Sequence, residues 1–493
     1  MNTRPHRCVR LATAALTEVA LLVGVGAGGA APFAIQGPGV NPADFRITVF
    51  ASGLGFPLGM VPLSDGSLLV TVVQGTSFWS GTWQVLRLTD TNQDGIADDP
   101  GTVLFTGSAV GQSSMRMCGN LVFLTGQATP ITILRAGPTP GSPLTLVGQL
   151  NVTYPSGGWE HPHSALGIRP TPGQPGRCDL FFQLGSDQNY AKTTRTASLS
   201  STQIPGASGT LQGESIYMLT LTDDGTNVAA SNLTRVAMGL RNAAGFAFQP
   251  VSGDLYFEDN GIDGLANANE PLSTDEINLI PAAQIGNGIV PDFGFPTNYT
   301  EYRTGRLVGG GGVQPLFAFQ PLPNPFTGSE SEGPNDIAFA PAGFPNALNN
   351  GLFVGFHGKW ALAGIANEEN PVVFADLTTT NYFQFIGNDE PNIGHLDGLL
   401  STDDSLFLAD LTSTGDTSSS VNSGIIYQIK SLVAHVLSFT FSQNSLHLSW
   451  SQGGALQQAT SLAGPWSTIA TGTNTFWIPI DPTQPQVFYR TQY

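Results

Sequence analysis

Glu160 and His161 stand side by side in GWEHPHSALGIRP, residues 158–170. An imidazole whose pKa lies near neutrality can take a proton from a hydroxyl, and a neighbouring carboxylate orients the ring and stabilises its cation. His163 is the alternative base, and a loop histidine without a role is the plain reading of either. A second set of polar residues brackets GLRNAAGFAFQPVSGDLYFEDNGIDG, residues 239–264. An apolar strand pair around a Ser-Gly-Asp turn needs neither Arg241 and Asn242 before it nor Asp259, Asn260, Gly261 and Asp263 after it. Arg241 is therefore a candidate ligand contact, the alternative being an arginine that pairs with this acidic face. A third set, DTNQDGIAD, spaces Asp90, Asn92, Asp94 and Asp98 around Gly95 as the first nine positions of an EF-hand-type calcium loop do. Gly101 takes the twelfth position in place of a bidentate acid, which predicts a structural Ca²⁺ of modest affinity; a solvated acidic turn is the competing reading.

These residues flank elements that recur. An apolar strand, a Gly or Pro turn and a second apolar strand appear from Gly55, Ser114, His163, Asn242, Pro334 and His395. A further β-like run follows each copy: WQVLRL, ITILRA, IYMLTL, EINLI, PVVFADL and IIYQI. Strand-rich units repeated without helical periodicity suit blades around a central channel, since radial packing buries both faces of each small sheet. The expected fold is all-β, a six-bladed β-propeller over residues 31–430, with an irregular sandwich or solenoid as the alternative. Polar residues just outside the hairpins would then surround the channel mouth. From Ser431 the composition shifts to alternating runs with Trp450, Trp466, Trp477 and Phe488, which predicts a separate small β-sandwich over 431–493. Its aromatics are read as core, its role as attachment or sorting. The string ATSLAGPW resembles C-terminal modules of bacterial secreted proteins.

Over most of residues 45 to 430 the chain resembles the soluble glucose and sorbosone dehydrogenases, propellers that oxidise sugars with pyrroloquinoline quinone and calcium. The strongest strings are GLRNAAGFAFQPVSGDLYFEDNG and DEINLI. The resemblance implies that Arg241 and Asn242 contact the quinone and that main-chain oxygens of Gly261 and Ile262 hold calcium. Glu160, His161, Leu166 and Pro170 fit the family's acid–histidine spacing, which makes His161 the base for a sugar hydroxyl and Glu160 its orienting acid. FVGFHGKW resembles the sorbosone-type string and places Lys359 near the cofactor's carboxylates. The last hairpin departs from the pattern: Gly394 and Leu396 occupy the family's arginine places, although Asp397 is retained. Three quinone carboxylates need cations or donors to offset their desolvation. The sequence thus supports the scaffold and the acid–base pair more strongly than the quinone.

The N-terminus has Arg4, Arg7 and Arg10 before an apolar run from Leu11 and small residues at Gly28 to Ala31. This predicts a signal peptide over residues 1–30, with an uncleaved anchor as the alternative. Its removal takes three of 18 basic and one of 36 acidic side chains, leaving 15 and 35 and a formal charge of −20. Such a surface repels nucleic acid and anionic lipid, and no other segment is apolar for long enough to span a bilayer. The expected setting is secreted or periplasmic. Cys118 and Cys178 remain, as a disulfide or as two buried thiols. The leading functional expectation is an exported quinone-dependent sugar or sugar-aldehyde dehydrogenase with a periplasmic electron acceptor. The alternatives are a non-catalytic, calcium-stabilised propeller that binds carbohydrate or a surface partner, and a sugar-lactone hydrolase.

Overall fold

The structure, a computed structural model, describes residues 31–79, 82–108, 112–265, 270–330, 332–358, 371–391, 393–433, 438–442, 445–450, 455–461, 464–471, 475–479 and 487–492. Among them there is no α-helix, only strands and three short 3₁₀ turns. The expected signal peptide and Lys359 lie outside the described residues.

Six antiparallel sheets follow one another along the chain. Their innermost strands are Met60–Pro62, Gln112–Cys118, Leu166–Pro170, Ala243–Phe248, Pro334–Phe339 and Leu396–Ser401, each the first strand of one of the six hairpins. Each inner strand lies beside the next, and the sixth returns to the first, so the sheets form a closed ring. The sixth sheet takes its outermost strand from the other end of the chain: Phe45–Leu54 pairs with Gly424–Ser431, Phe45 opposite Ser431. This is a six-bladed β-propeller closed by its N-terminal strand. The second blade carries two extra edge strands, Thr196–Ser200 and Ser208–Gln212, from an excursion within the third.

The strands that lie second in each blade read as apolar runs because they are covered on both faces. Leu121–Gly126, Leu255–Asp259, Gly351–Phe356 and Ser405–Asp410 are buried at every position. Aromatic edges fill the wedge between blades: Phe181 meets Phe248 at 5.1 Å, and Tyr256 meets Phe339 at 5.2 Å. Cys118, at the end of the second blade's inner strand, is disulfide-bonded to Cys178 in the third blade. That settles the alternative the spacing left open.

Four inner strands carry a β-bulge at the same level. The register slips between Gln112 and Ser114, Ala244 and Phe246, Pro334 and Asp336, and Leu396 and Gly398. A bulge inserts one residue and re-aims its side chain. The residues so placed are Ser113, Gly245, Asn335 and Asp397.

C-terminal to the blades are two three-stranded sheets. One holds Ser438–Ser442, Ser445–Ser449 and Thr475–Pro479; the other holds Ser467–Ala470, Ala455–Ala459 and Phe488–Gln492. Leu448, Trp450 and Leu456 are buried there, with Phe476, Ile478 and Tyr489 packed against them. Trp450 is core, as expected, whereas Trp477 is 57% exposed.

Candidate functional site

A cavity of about 360 Å³ opens where the inner strands begin. The bulged residues Ser113, Asn335 and Asp397 line it, with Gln127, Ser164, Asn242, Asn260 and His357 from the intervening loops. Glu160 and His161 lie in the same wall.

His161 is fixed by the chain beside it. Its amide donates to the Ser186 carbonyl at 3.1 Å, and its own carbonyl accepts from the Gly185 amide at 3.0 Å. Nδ1 lies 3.0 Å from Ser186 Oγ and 3.3 Å from the Ser186 carbonyl. The Ser186 hydroxyl already donates to the Gln188 carbonyl at 2.8 Å, so Nδ1 carries the proton and donates. Nε2 is left with the lone pair. Burial, and next the positive charge of Arg241, push the His161 pKa down to about 3, so the ring is neutral across ordinary pH. Glu160 is exposed beside it, and the hydrogen bonds that orient the ring come from Ser186. His163 is wholly buried between the Tyr154 hydroxyl, 2.6 Å from Nδ1, and the Thr129 carbonyl, 2.6 Å from Nε2.

The residues around residues 239–264 meet through Asp259. One carboxylate oxygen accepts from the Arg241 amide at 3.1 Å and the other from the Asn242 amide at 2.7 Å. The acid after the hairpin thus caps the pair before it. Burial nevertheless raises the Asp259 pKa to about 7. Asn242 extends into the cavity wall and donates to Asn260 at 2.7 Å, which in turn donates to the Pro334 carbonyl at 2.9 Å. The Arg241 guanidinium is buried, 2.7 Å from the Asp263 carboxylate and 2.9 Å from Asn189 Oδ1. It is close enough to act on His161 through its charge but is not part of the cavity wall.

The Gly261 amide donates to Asp275 at 2.7 Å, and the Ile262 carbonyl accepts from the Leu272 and Ser273 amides at 2.8 and 3.3 Å. In the Asp90 loop, Asp90 accepts from the Asp94 and Gly95 amides at 3.1 and 2.9 Å. Asn92 accepts from the Asp94 amide at 3.1 Å, and Asp98 from Thr91 at 2.8 Å. Gly95 there has φ +84°. Among the described residues, no group of three or more His, Cys, Asp or Glu is arranged to hold a metal.

Below the cavity an ion pair spans the channel. Arg116 of the second blade reaches Asp336 of the fifth, diametrically opposite in a ring of six, at 2.7 Å. Beside it Glu258 is fully buried, with neither carboxylate oxygen hydrogen-bonded. Burial and the nearby Asp336, Asp275 and Asp397 charges hold its pKa well above the usual range. Asp397 is raised to about 7, chiefly by burial. These two acids carry protons more readily than ordinary carboxylates do.

The sequence pointed to Glu160, His161 and Asn242, and the fold brings these together. Ser113, Gln127, Ser164, Ser186, Asn335 and Trp79 were not found by sequence reasoning. Serine and amide residues in turns carry no periodic signal, and three of the cavity's positions depend on bulges.

No protein-family model matches the chain. A curated relative, an uncharacterized protein of Borreliella burgdorferi, is 32% identical over 149 residues, which are 29% of this chain. The chain spans about a third of that relative's length. Among solved structures, the holo form of the pyranose dehydrogenase PQQ domain from Coprinopsis cinerea aligns with TM-score 0.50 and 15% identity, over 81% of this chain and 97% of that one. A calcium structure of the Trichoderma reesei carbohydrate-active enzyme of family AA12 aligns with TM-score 0.50 and 14% identity, over 82% and 98%. At such identities the likeness establishes the fold alone.

Proposed function

We propose that the channel mouth takes a neutral sugar and that His161 Nε2 accepts a hydrogen bond from one of its hydroxyls. The observation that carries this reading is a neutral, Ser186-held imidazole in a cavity walled by the hydroxyls of Ser113 and Ser164 and the amides of Gln127, Asn242, Asn260 and Asn335. Each amide offers both donors and acceptors, as a polyol does, so a sugar can exchange its water hydrogen bonds for equivalent ones. The Cys118–Cys178 disulfide supports an exported protein, since disulfides persist in oxidising compartments.

Pyrroloquinoline quinone carries three carboxylates, and the described residues do not fit it. The cavity wall contains Glu160 and Asp397 and, among the described residues, no lysine or arginine. Arg241 is committed to Asp263 and Asn189, and Arg116 to Asp336. The second reading, a quinone-dependent sugar dehydrogenase passing electrons to a periplasmic acceptor, is favoured only by the likeness in fold to the pyranose dehydrogenase PQQ domain.

Titration calorimetry with D-glucose and D-xylose tests the first reading: saturable binding supports it, and no heat with either sugar sinks it. Adding pyrroloquinoline quinone with Ca²⁺ and following a bound-quinone spectrum and aldose-dependent dye reduction tests the second. Calcium at the Asp90 loop is a separate test, since the carboxylates of Asp90 and Asp98 already accept hydrogen bonds from the loop's own amides. With an ion bound there, EDTA should lower the melting temperature, and Asp94→Ala should remove part of that response. An unchanged melting curve on chelation removes calcium from the reading.

A further inference from the structure

We propose that Trp79 is the platform on which a ring-closed sugar stacks, and that it makes the site selective for pyranoses over acyclic polyols. The inference rests on the sugar-site reading above and adds a residue and a selectivity to it. Trp79 lines the same cavity as His161 and is 43% exposed. It sits in the loop after the first blade's second strand, Leu68–Gln74.

What holds this indole is rigid. Its ring stands edge-on to Phe78, with centroids 4.9 Å apart and planes at 79°. Phe78 is itself buried, packed with Phe56, Leu58, Val73 and Leu411, and its amide donates to the Thr417 carbonyl at 2.9 Å. A large aromatic kept at a cavity wall by a buried aromatic beneath it is pre-organised for a ligand, because little side-chain freedom remains to be lost on binding.

The cavity also has two kinds of wall. The large apolar side chains Leu58, Phe78, Trp79 and Leu411 come from the first and sixth blades, with Asp397 beside them, whereas His161, Asn242, Asn260 and Asn335 come from around the third, fourth and fifth. A pyranose has the same division. Its axial C–H bonds, polarised by the attached oxygens, form an apolar face that suits the negative π-face of an indole, while its equatorial hydroxyls point outward at the rim. Stacked on Trp79, such a ring would turn hydroxyls toward the amide wall and His161. An acyclic polyol presents no such face.

The test titrates the full chain with D-xylose, D-glucose and sorbitol, by calorimetry and tryptophan fluorescence. Trp79→Ala should weaken binding of the two pyranoses by about tenfold, the equivalent of one aromatic stacking contact, while changing sorbitol binding by less than about twofold. Trp79→Phe, which keeps a smaller π-face, should fall between. Trp79→Leu keeps apolar bulk over Phe78 without a π-face, so it should behave as Trp79→Ala does, and it serves if the alanine variant does not fold. Undiminished pyranose binding in Trp79→Leu, or parallel loss of pyranose and sorbitol, would overturn this inference and leave the sugar site standing. Absence of any sugar binding by the unsubstituted protein would overturn the sugar-site reading, and this inference with it.

Discussion

His161 shows how a residue next to an unremarkable turn acquires a chemical character. Ser186 sets its tautomer, burial keeps it neutral, and the Arg241 charge adds to the second effect. Removing that charge with Arg241→Gln should move the His161 pKa upward from about 3 while leaving it below 6.5, because burial is the larger cause. Imidazole carbon resonances followed by NMR against pH measure this directly, and an unmoved pKa would show that the two groups are not coupled. The same substitution removes the hydrogen bonds to Asn189 and Asp263, at about 1–2 kcal/mol of stability, since Asp263 is largely exposed and its ion pair is screened. Glu160, His161 and Asn242 were legible in the sequence because they abut strong hairpin signals. Ser186 was not, because a serine that orients a histidine 25 residues away in the chain leaves no local mark.

At the scale of elements, the six hairpins were legible because apolar strands flanking Gly or Pro turns are a local pattern. The bulges were not, since a bulge exists only in the pairing of one strand against its neighbour. Gly245 is the most constrained of the bulged positions. Its φ is +53°, and a Cβ there would lie 2.5 Å from Glu258 Oε1 and 3.0 Å from the Asp336 Cα. Gly245→Ala should therefore cost about 1–3 kcal/mol, combining backbone strain with displacement of a buried acid. Denaturant unfolding checks this, and a cost near zero would mean that the bulge relaxes freely. The disulfide ties neighbouring blades across a sequence separation of 60 residues. Replacing both cysteines by serine should lower the unfolding free energy by about 2–4 kcal/mol, through the regained freedom of the unfolded loop. An unchanged denaturation midpoint would contradict that.

For the whole molecule, the acidic composition hides a division between surface and channel. The formal charge is −18, yet several acids lie buried or half-buried around the channel and the fourth blade, with pKa values raised to about 6 for Asp275, about 7 for Asp259 and Asp397 and about 8 for the half-buried Glu276. Burial is the largest cause for each. In the unfolded chain these groups titrate near the usual carboxylate values of about 4. Between pH 4 and 8 the folded state therefore binds more protons than the unfolded one, and the stability these acids contribute is lost as pH rises through their folded values. The buried histidines act in the opposite sense: His161 is lowered to about 3, and His163 and His357 to about 4, mainly by burial. Their contribution is present above about pH 6.5 and is lost as pH falls toward 4 and 3. Below pH 6.5 the two sets oppose each other, while above it only the carboxylates still titrate. The melting temperature should consequently fall from pH 6.5 to pH 9 at constant ionic strength. Asp397→Asn should flatten that fall, because Asp397 is buried with one oxygen unpaired and the amide has no proton to lose in this range. Scanning calorimetry across the range, on the parent and on Asp397→Asn, makes the comparison. A melting temperature that stays level or climbs would mean that the channel acids are ionised in the folded protein and that an ion or donor compensates them.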